Sequence, residues 1–224
     1  MYEFNLKAVY PFLDKLPPAI LLTVELTLLT IFLSMILGVV FALFRRSGSV
    51  VLRTIGTVYV EVLRNMPLIV LVYLIYFGMP EVGWVPSGFV CAIIAMTLNS
   101  AAFMTEIFRA GLIAIPKGQY EAARSQGMTW FQMFRFVIFP QILRTAYAPL
   151  GNQFIGVIMA SSIATVITVE EVTSWMTNTG AVTYRYFETF AIAAVVYLVL
   201  CQIANLGRVV AGRYLFRNAA GGQW

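Results

Sequence analysis

No histidine occurs anywhere in the 224 residues. Catalysis or metal binding through imidazole is therefore excluded. Cysteine is nearly absent: Cys91 and Cys201 stand in apolar runs and read as small hydrophobes, neither a disulfide nor a metal pair. Charge is scarce, at 11% of residues, against 60% hydrophobic residues and a mean hydropathy of +0.84. A soluble domain of this size could not hide so much apolar surface; a polytopic membrane protein can. The net charge of +5 then reflects basic loops beside a bilayer and not an affinity for nucleic acid. No G-x-x-x-x-G-K-[ST] phosphate loop is present. The opening "MYEFNLKAVYPFLDKLPP" mixes charges and lacks a continuous apolar core, so no cleavable leader is expected.

What is there is long apolar runs. About 20 such residues cross the hydrocarbon core as a helix. Five runs qualify, near 19–44, 58–78 and 90–112, and within 147–169 and 190–211. The expected fold is all-α and integral to the membrane. "MPEVGWVPSG" reads as a turn-rich loop between the second and third spans. The positive charges test the layout. Arg45, Arg46, Arg53 and Arg64 flank the first loop. Arg109, Lys117, Arg124, Arg135 and Arg144 flank the third, and Arg208, Arg213 and Arg217 lie near the end. Only Lys7, Lys15 and Arg185 fall on the other side. By the positive-inside rule the N-terminus is external and the C-terminus cytoplasmic. The stretch 130–144 is aromatic but carries Arg135 and Pro140. A central Arg costs about 2.5–3.5 kcal/mol on insertion scales, which places this stretch at the interface, leading into the fourth span.

Between the third and fourth spans lies "GQYEAARSQGMTWFQMFRFVIFP". Alanine favours helix and leaves a smooth, closely approachable face. Gly127 can end that helix in a left-handed conformation. The product is a short charged helix followed by a bend. The residues alone suit a solvated loop helix, or one shaped to enter a groove on a partner.

Glu121, Ala122, Ala123, Gly127 and Pro140 stand at the spacing of the E-A-A signature, with Val137 and Phe139 as apolar substitutions within it. This resembles the permease subunits of ATP-binding-cassette importers, and in particular the polar amino-acid permeases of the histidine, arginine, glutamine and glutamate systems. "EVLRNMPLIVLVY", with Arg64 and Pro67, is similar to their second span; "NSAAFMTEIFRAGLIAIPKGQYEAARSQGM" to their third span and coupling loop; "FPQILR" and "PLGNQFIGVIMASSI" to the opening of their fourth. The resemblance implies one permease domain over 1–224 of the type I importer fold, containing a cytoplasmic coupling loop at 114–140. It implies that Gly118, Glu121, Ala122, Ala123 and Gly127 face an ATPase subunit. It also implies a site in the bacterial plasma (inner) membrane and no enzymatic activity. Expected partners are two ATPase copies that carry ATP and Mg, a second permease, identical or homologous, an extracytoplasmic solute-binding protein, the amino acid and the bilayer. This chain would bind no cofactor itself.

Asn99 and Glu106 are seven residues apart, about two turns along one helical face, with Phe103 between them. A carboxylate in a span suggests function when it faces a cavity; equally, Arg109 at i+3 offers Glu106 an ion pair. The resemblance implies an amino-acid pocket here, with Glu106 meeting an ammonium group. Ser161 and Ser162 join the candidate set, although serines in spans commonly bond backbone carbonyls. The family often has an Asp where this chain has Ala160. That implies either a substrate that is not Arg- or Lys-like, or the non-binding half of a heterodimer. An ion-coupled secondary transporter with Glu106 as proton site is the alternative; it leaves the E-A-A helix without a role. Thr23, Thr27, Thr30, Ser34 and Gly38 form one small-residue stripe suited to helix packing. Glu61 and Arg64 are expected to pair, and the acids at 170–188 to lie in a solvated outer loop.

Overall fold

A computed structural model describes residues 4–215; Arg217 lies outside them. The described residues are helical almost throughout. Two 3-10 segments, Leu6–Ala8 and Tyr10–Lys15, lead into α1 (Leu16–Arg46). Then follow α2 (Val50–Asn65), α3 (Leu68–Glu81), α4 (Gly88–Ile113), α5 (Lys117–Ser125) and α6 (Trp130–Met133). A π-turn at Phe134–Ile138 joins α6 to α7 (Phe139–Ala160), and a 3-10 stretch at Ser161–Ile167 precedes α8 (Val172–Thr183) and α9 (Tyr186–Leu215).

Four helical runs are long and apolar enough to cross a membrane: Tyr10–Arg46, Gly88–Ile113, Trp130–Ile167 and Tyr186–Leu215. A fifth is available only if α2 and α3 count as one span, and they meet at 107°. The second span expected near 58–78 is formed by two helices, the end of α2 and α3, with a sharp bend between them. Pro67 lacks an N–H and bars the preceding residue from helical geometry; Met66 is accordingly extended, at ψ 131°. The fourth run also begins earlier than expected: 130–144 continues into α7 through the π-turn, with Pro140 in the first turn of α7, directly after that π-turn.

The small-residue stripe is the seam between α1 and α4. Thr23, Thr27, Thr30, Ser34 and Gly38 are all buried. At Gly38 the approach is so close that an added Cβ would lie 2.8 Å from Met104 Cβ. Thr105 Oγ1 donates to the Ala101 carbonyl at 2.7 Å and the Gly38 carbonyl at 3.3 Å, stitching the two helices. The hydroxyls of Thr23 and Thr27 donate to carbonyls one turn back, which satisfies them between the spans, whereas the buried Thr30 Oγ1 has no hydrogen-bond partner among the described residues. The matches Gly38–Thr105 and Arg46–Leu112 make α1 and α4 parallel. Gly111 beside Ile142 and Gly88 beside Ile167 make α7 antiparallel to α4. The bundle thus has an α5 end and an α8 end.

At the α8 end, the stretch expected as a solvated loop is folded in. Glu171 and Glu188 are fully buried. Glu171 caps α8, accepting from Thr173 and Ser174 N–H at 2.9 and 3.0 Å and from the Tyr197 hydroxyl at 2.6 Å. Glu188 accepts from the Asn5 N–H at 2.8 Å and lies 3.7 Å from Arg185. Trp175 Nε1 donates to the Phe12 carbonyl at 2.8 Å. Each acid is buried because its donors are already in place, the condition for hiding a carboxylate at tolerable cost.

Candidate functional site

α5 stands at its own end of the bundle on a single apolar foot. Ala123 is buried against Ile115, Met133, Ile138 and Ile142. Lys117, Gly118, Gln119, Glu121, Ala122, Arg124 and Ser125 are exposed. Buried Ala123 and half-buried Tyr120 hold the helix close to its platform while the rest of its circumference stays open. The helix ends as Gly127 permits: at φ +72°, Gly127 N–H donates to the Arg124 carbonyl and Met128 N–H to the Ala123 carbonyl, at 2.9 and 3.2 Å. This pair of bonds is the Schellman arrangement. Thr129 and Gln132 then form a reciprocal capping box that restarts the chain as α6. The outward face therefore has fixed geometry at both the helix and its exit. It presents Glu121, which has no ion-pair partner among the described residues, beside Ala122 and Gly118. A Cβ at Gly118 would meet nothing within 4 Å, so a partner's backbone could approach closely.

The face of α4 that carries Asn99, Phe103 and Glu106 turns towards α2 and the last turn of α1. Asn99 Nδ2 donates to the Leu63 carbonyl at 2.9 Å. Leu63 belongs to the last turn of α2, whose carbonyls have no helical partner, so Asn99 serves the α2–α3 bend. The Arg64 guanidinium lies 5.2 Å above the Phe103 ring, a cation–π distance. Arg64 forms no ion pair with Glu61, contrary to expectation; Asn65 Nδ2 is the group that reaches the Glu61 carboxylate, at 3.5 Å, while also donating to the Glu61 backbone carbonyl at 2.7 Å. Glu106 bridges two arginines. Arg109 reaches it through Nε at 3.0 Å and Nη2 at 2.6 Å, and Arg45, from the last turn of α1, ion-pairs with its other oxygen.

Ser161 and Ser162 are not joined to this cluster by any hydrogen bond among the described residues. Their hydroxyls donate to the Ile158 and Met159 carbonyls at 2.7 and 2.8 Å. Ser161 is fully buried. Sequence reasoning paired Glu106 with Arg109 but missed Arg45, which lies 61 positions away, and missed Tyr59, whose hydroxyl donates to the Leu98 carbonyl at 2.7 Å while its ring stacks on Phe41. Neither carries a local signal; both depend on how α1, α2 and α4 meet.

Comparison with known proteins matches residues 19–213 to the family described as the binding-protein-dependent transport system inner membrane component. The chain is 36% identical over 208 residues to "Probable amino-acid ABC transporter permease protein YckA" of Bacillus subtilis (strain 168), covering 91% of this chain and 90% of that one. It is also 36% identical to "L-cystine transport system permease protein TcyB" of the same organism, over 88% of this chain and 85% of that one. The structure superposes with a TM-score of 0.87 and 32% identity on a chain from "Crystal structure of an amino acid ABC transporter with histidines", covering 95% of this chain and all of that one. Nothing in these likenesses supports the ion-coupled reading of Glu106. With an E-A-A helix standing clear of a bundle of membrane helices, and a family match over nearly its whole length, this chain belongs to the binding-protein-dependent transport system inner membrane component family and is the integral inner-membrane permease of an ABC importer.

Proposed function

We propose that the chain imports an amino acid by alternating access, with α5 as the element that receives work from a separate ATPase. The observation that carries this is the outward face of α5: an unpaired Glu121 with Gly118 and Ala122 beside it, on a helix with a fixed exit at Gly127. Small residues beside Glu121, with the exposed Lys117 and Arg124 one turn to either side of it, suit a groove on a protein partner. ATP and Mg belong to that partner, since this chain has no phosphate loop. Two ATPase copies and a second permease, identical or homologous, complete the complex. A solute-binding protein meets the α8 end, the external end under the positive-inside rule. Names of the relatives support an amino acid as cargo.

The proposed substrate surface is the α4 face of Asn99, Phe103 and Glu106, with half-buried Ser162 at its margin. Ser161 would join only if its 3-10 stretch repacked. Arg45, Arg64 and Arg109 outnumber the acid in this cluster, which fits a substrate's carboxylate better than its ammonium. The test of the central reading is Glu121→Lys. The variant should lose ATPase co-purification, or lose the substrate-stimulated ATPase activity of reconstituted complexes, while the bundle stays folded. Unchanged assembly, stimulation and uptake would count against α5 as the coupling element.

A further inference from the structure

We infer that the groove between α1, α7 and α9 is a binding site for an anionic phospholipid, with an acyl chain along the groove and the phosphate on Arg208. The groove encloses about 420 Å3 and is lined almost wholly by apolar side chains, among them Leu28, Ile31, Phe154, Ile158 and Ile203. Arg208 supplies its one formal charge. That guanidinium donates from Nε and Nη2 to the neutral Asn205 Oδ1, at 3.3 and 2.8 Å. No carboxylate lies within ion-pair distance of it among the described residues. Its backbone is tied down, because the Tyr147 hydroxyl donates to the Arg208 carbonyl. A side chain at Gly151 would run into the stem of Arg208, so glycine there lets the guanidinium lie across α7.

Depth agrees with the charge. Residues 189–207 of α9 carry no charge. At ~1.5 Å per residue they span about 28 Å, close to the thickness of a hydrocarbon core. Arg208 then sits where lipid phosphates lie, at the α5 end of the bundle. From there Ile203 and Leu200 continue the groove towards the membrane centre over about 12 Å, enough for a good part of an acyl chain. A cation without an anion at headgroup depth, above an apolar channel open to the bilayer, has the chemistry of a headgroup site.

The test uses the full-length chain, purified with its associated subunits in mixed micelles of phosphatidylglycerol and phosphatidylcholine of identical acyl chains, and read by native mass spectrometry. Wild type should retain phosphatidylglycerol selectively. Arg208→Gln should lower that selectivity about tenfold, the loss expected for one charge-assisted contact, and Arg208→Lys should keep much of it. Ala204→Trp, which fills the groove and keeps the charge, should lower retention of both lipids; it decides the matter if Arg208→Gln does not fold. Equal retention of the two lipids by wild type would overturn the site. So would full selectivity in Arg208→Gln, undiminished lipid retention in Ala204→Trp, or quantitative cross-linking of Ile203→Cys to another polypeptide, which would mean that protein fills the groove. Lipid retention needs neither transport nor ATP, so its failure leaves the importer reading untouched.

Discussion

Glu106 shows how one side chain can look like a ligand site along the sequence and like a keystone in space. Its carboxylate holds Arg109 on its own helix and Arg45 on α1, with its side chain 19% exposed. Removing the acid leaves two cations facing each other at the seam of α1 and α4. Glu106→Gln should therefore destabilise the purified complex by about 1.5–3 kcal/mol, the usual loss for hydrogen bonds to a charged group, read as a lower thermal midpoint in detergent. Adding Arg45→Gln to that variant should restore part of the loss, because it removes one of the stranded charges. A raised KM for uptake alongside the loss of stability would add direct substrate contact to this role, and a raised KM with unchanged stability would refute the structural role.

Among the elements, α1 and α4 carry the packing of the bundle, and their seam tolerates no added bulk. Gly38 lies where a Cβ would come within 2.8 Å of Met104 Cβ, an atom bonded directly to the backbone that cannot swing aside. Gly38→Ala should cost about 1–3 kcal/mol by overpacking, seen as earlier thermal aggregation of the purified protein; a neutral result would mean that the helices separate more readily than their contacts imply. α2 and α3 form a different kind of element, a bent pair whose corner is held from outside by Asn99. α8 was expected to be loop, yet it is a buried helix because Glu171 and Glu188 find their donors on α8, α9 and the N-terminal segment.

For the molecule as a whole, the helix directions set the two ends and the membrane sets which end faces the cytoplasm. The N-terminal segment lies at the α8 end, bonded to Trp175 and Glu188, and α5 lies at the other. With the native Cys91 and Cys201 replaced, a membrane-impermeant thiol reagent applied to intact cells should label Asn5→Cys and spare Gln126→Cys. Labelling of Gln126→Cys alone would invert the orientation, and labelling of both would reject a bundle whose two ends face opposite sides.

The membrane class, the approximate apolar runs, the small-residue stripe and the form of α5 were legible in the amino-acid sequence by itself. Each rests on a local rule: hydrophobic length, small residues at helical spacing, alanine for helix, glycine for a left-handed end. The family resemblance was legible for the same reason, since Glu121, Ala122, Ala123, Gly127 and Pro140 lie close together along the chain. Only the tertiary structure decided that 58–78 breaks at Pro67, since a proline in a span can bend it slightly or turn it through 107°, and the result depends on what receives the freed carbonyls. Here Asn99, 36 positions beyond Leu63, receives one of them. Only the structure brought Arg45 to Glu106, placed Arg64 over Phe103 and drew Glu171 and Glu188 into the interior. Such contacts join residues far apart in sequence, and their energy is realised only once the helices have packed.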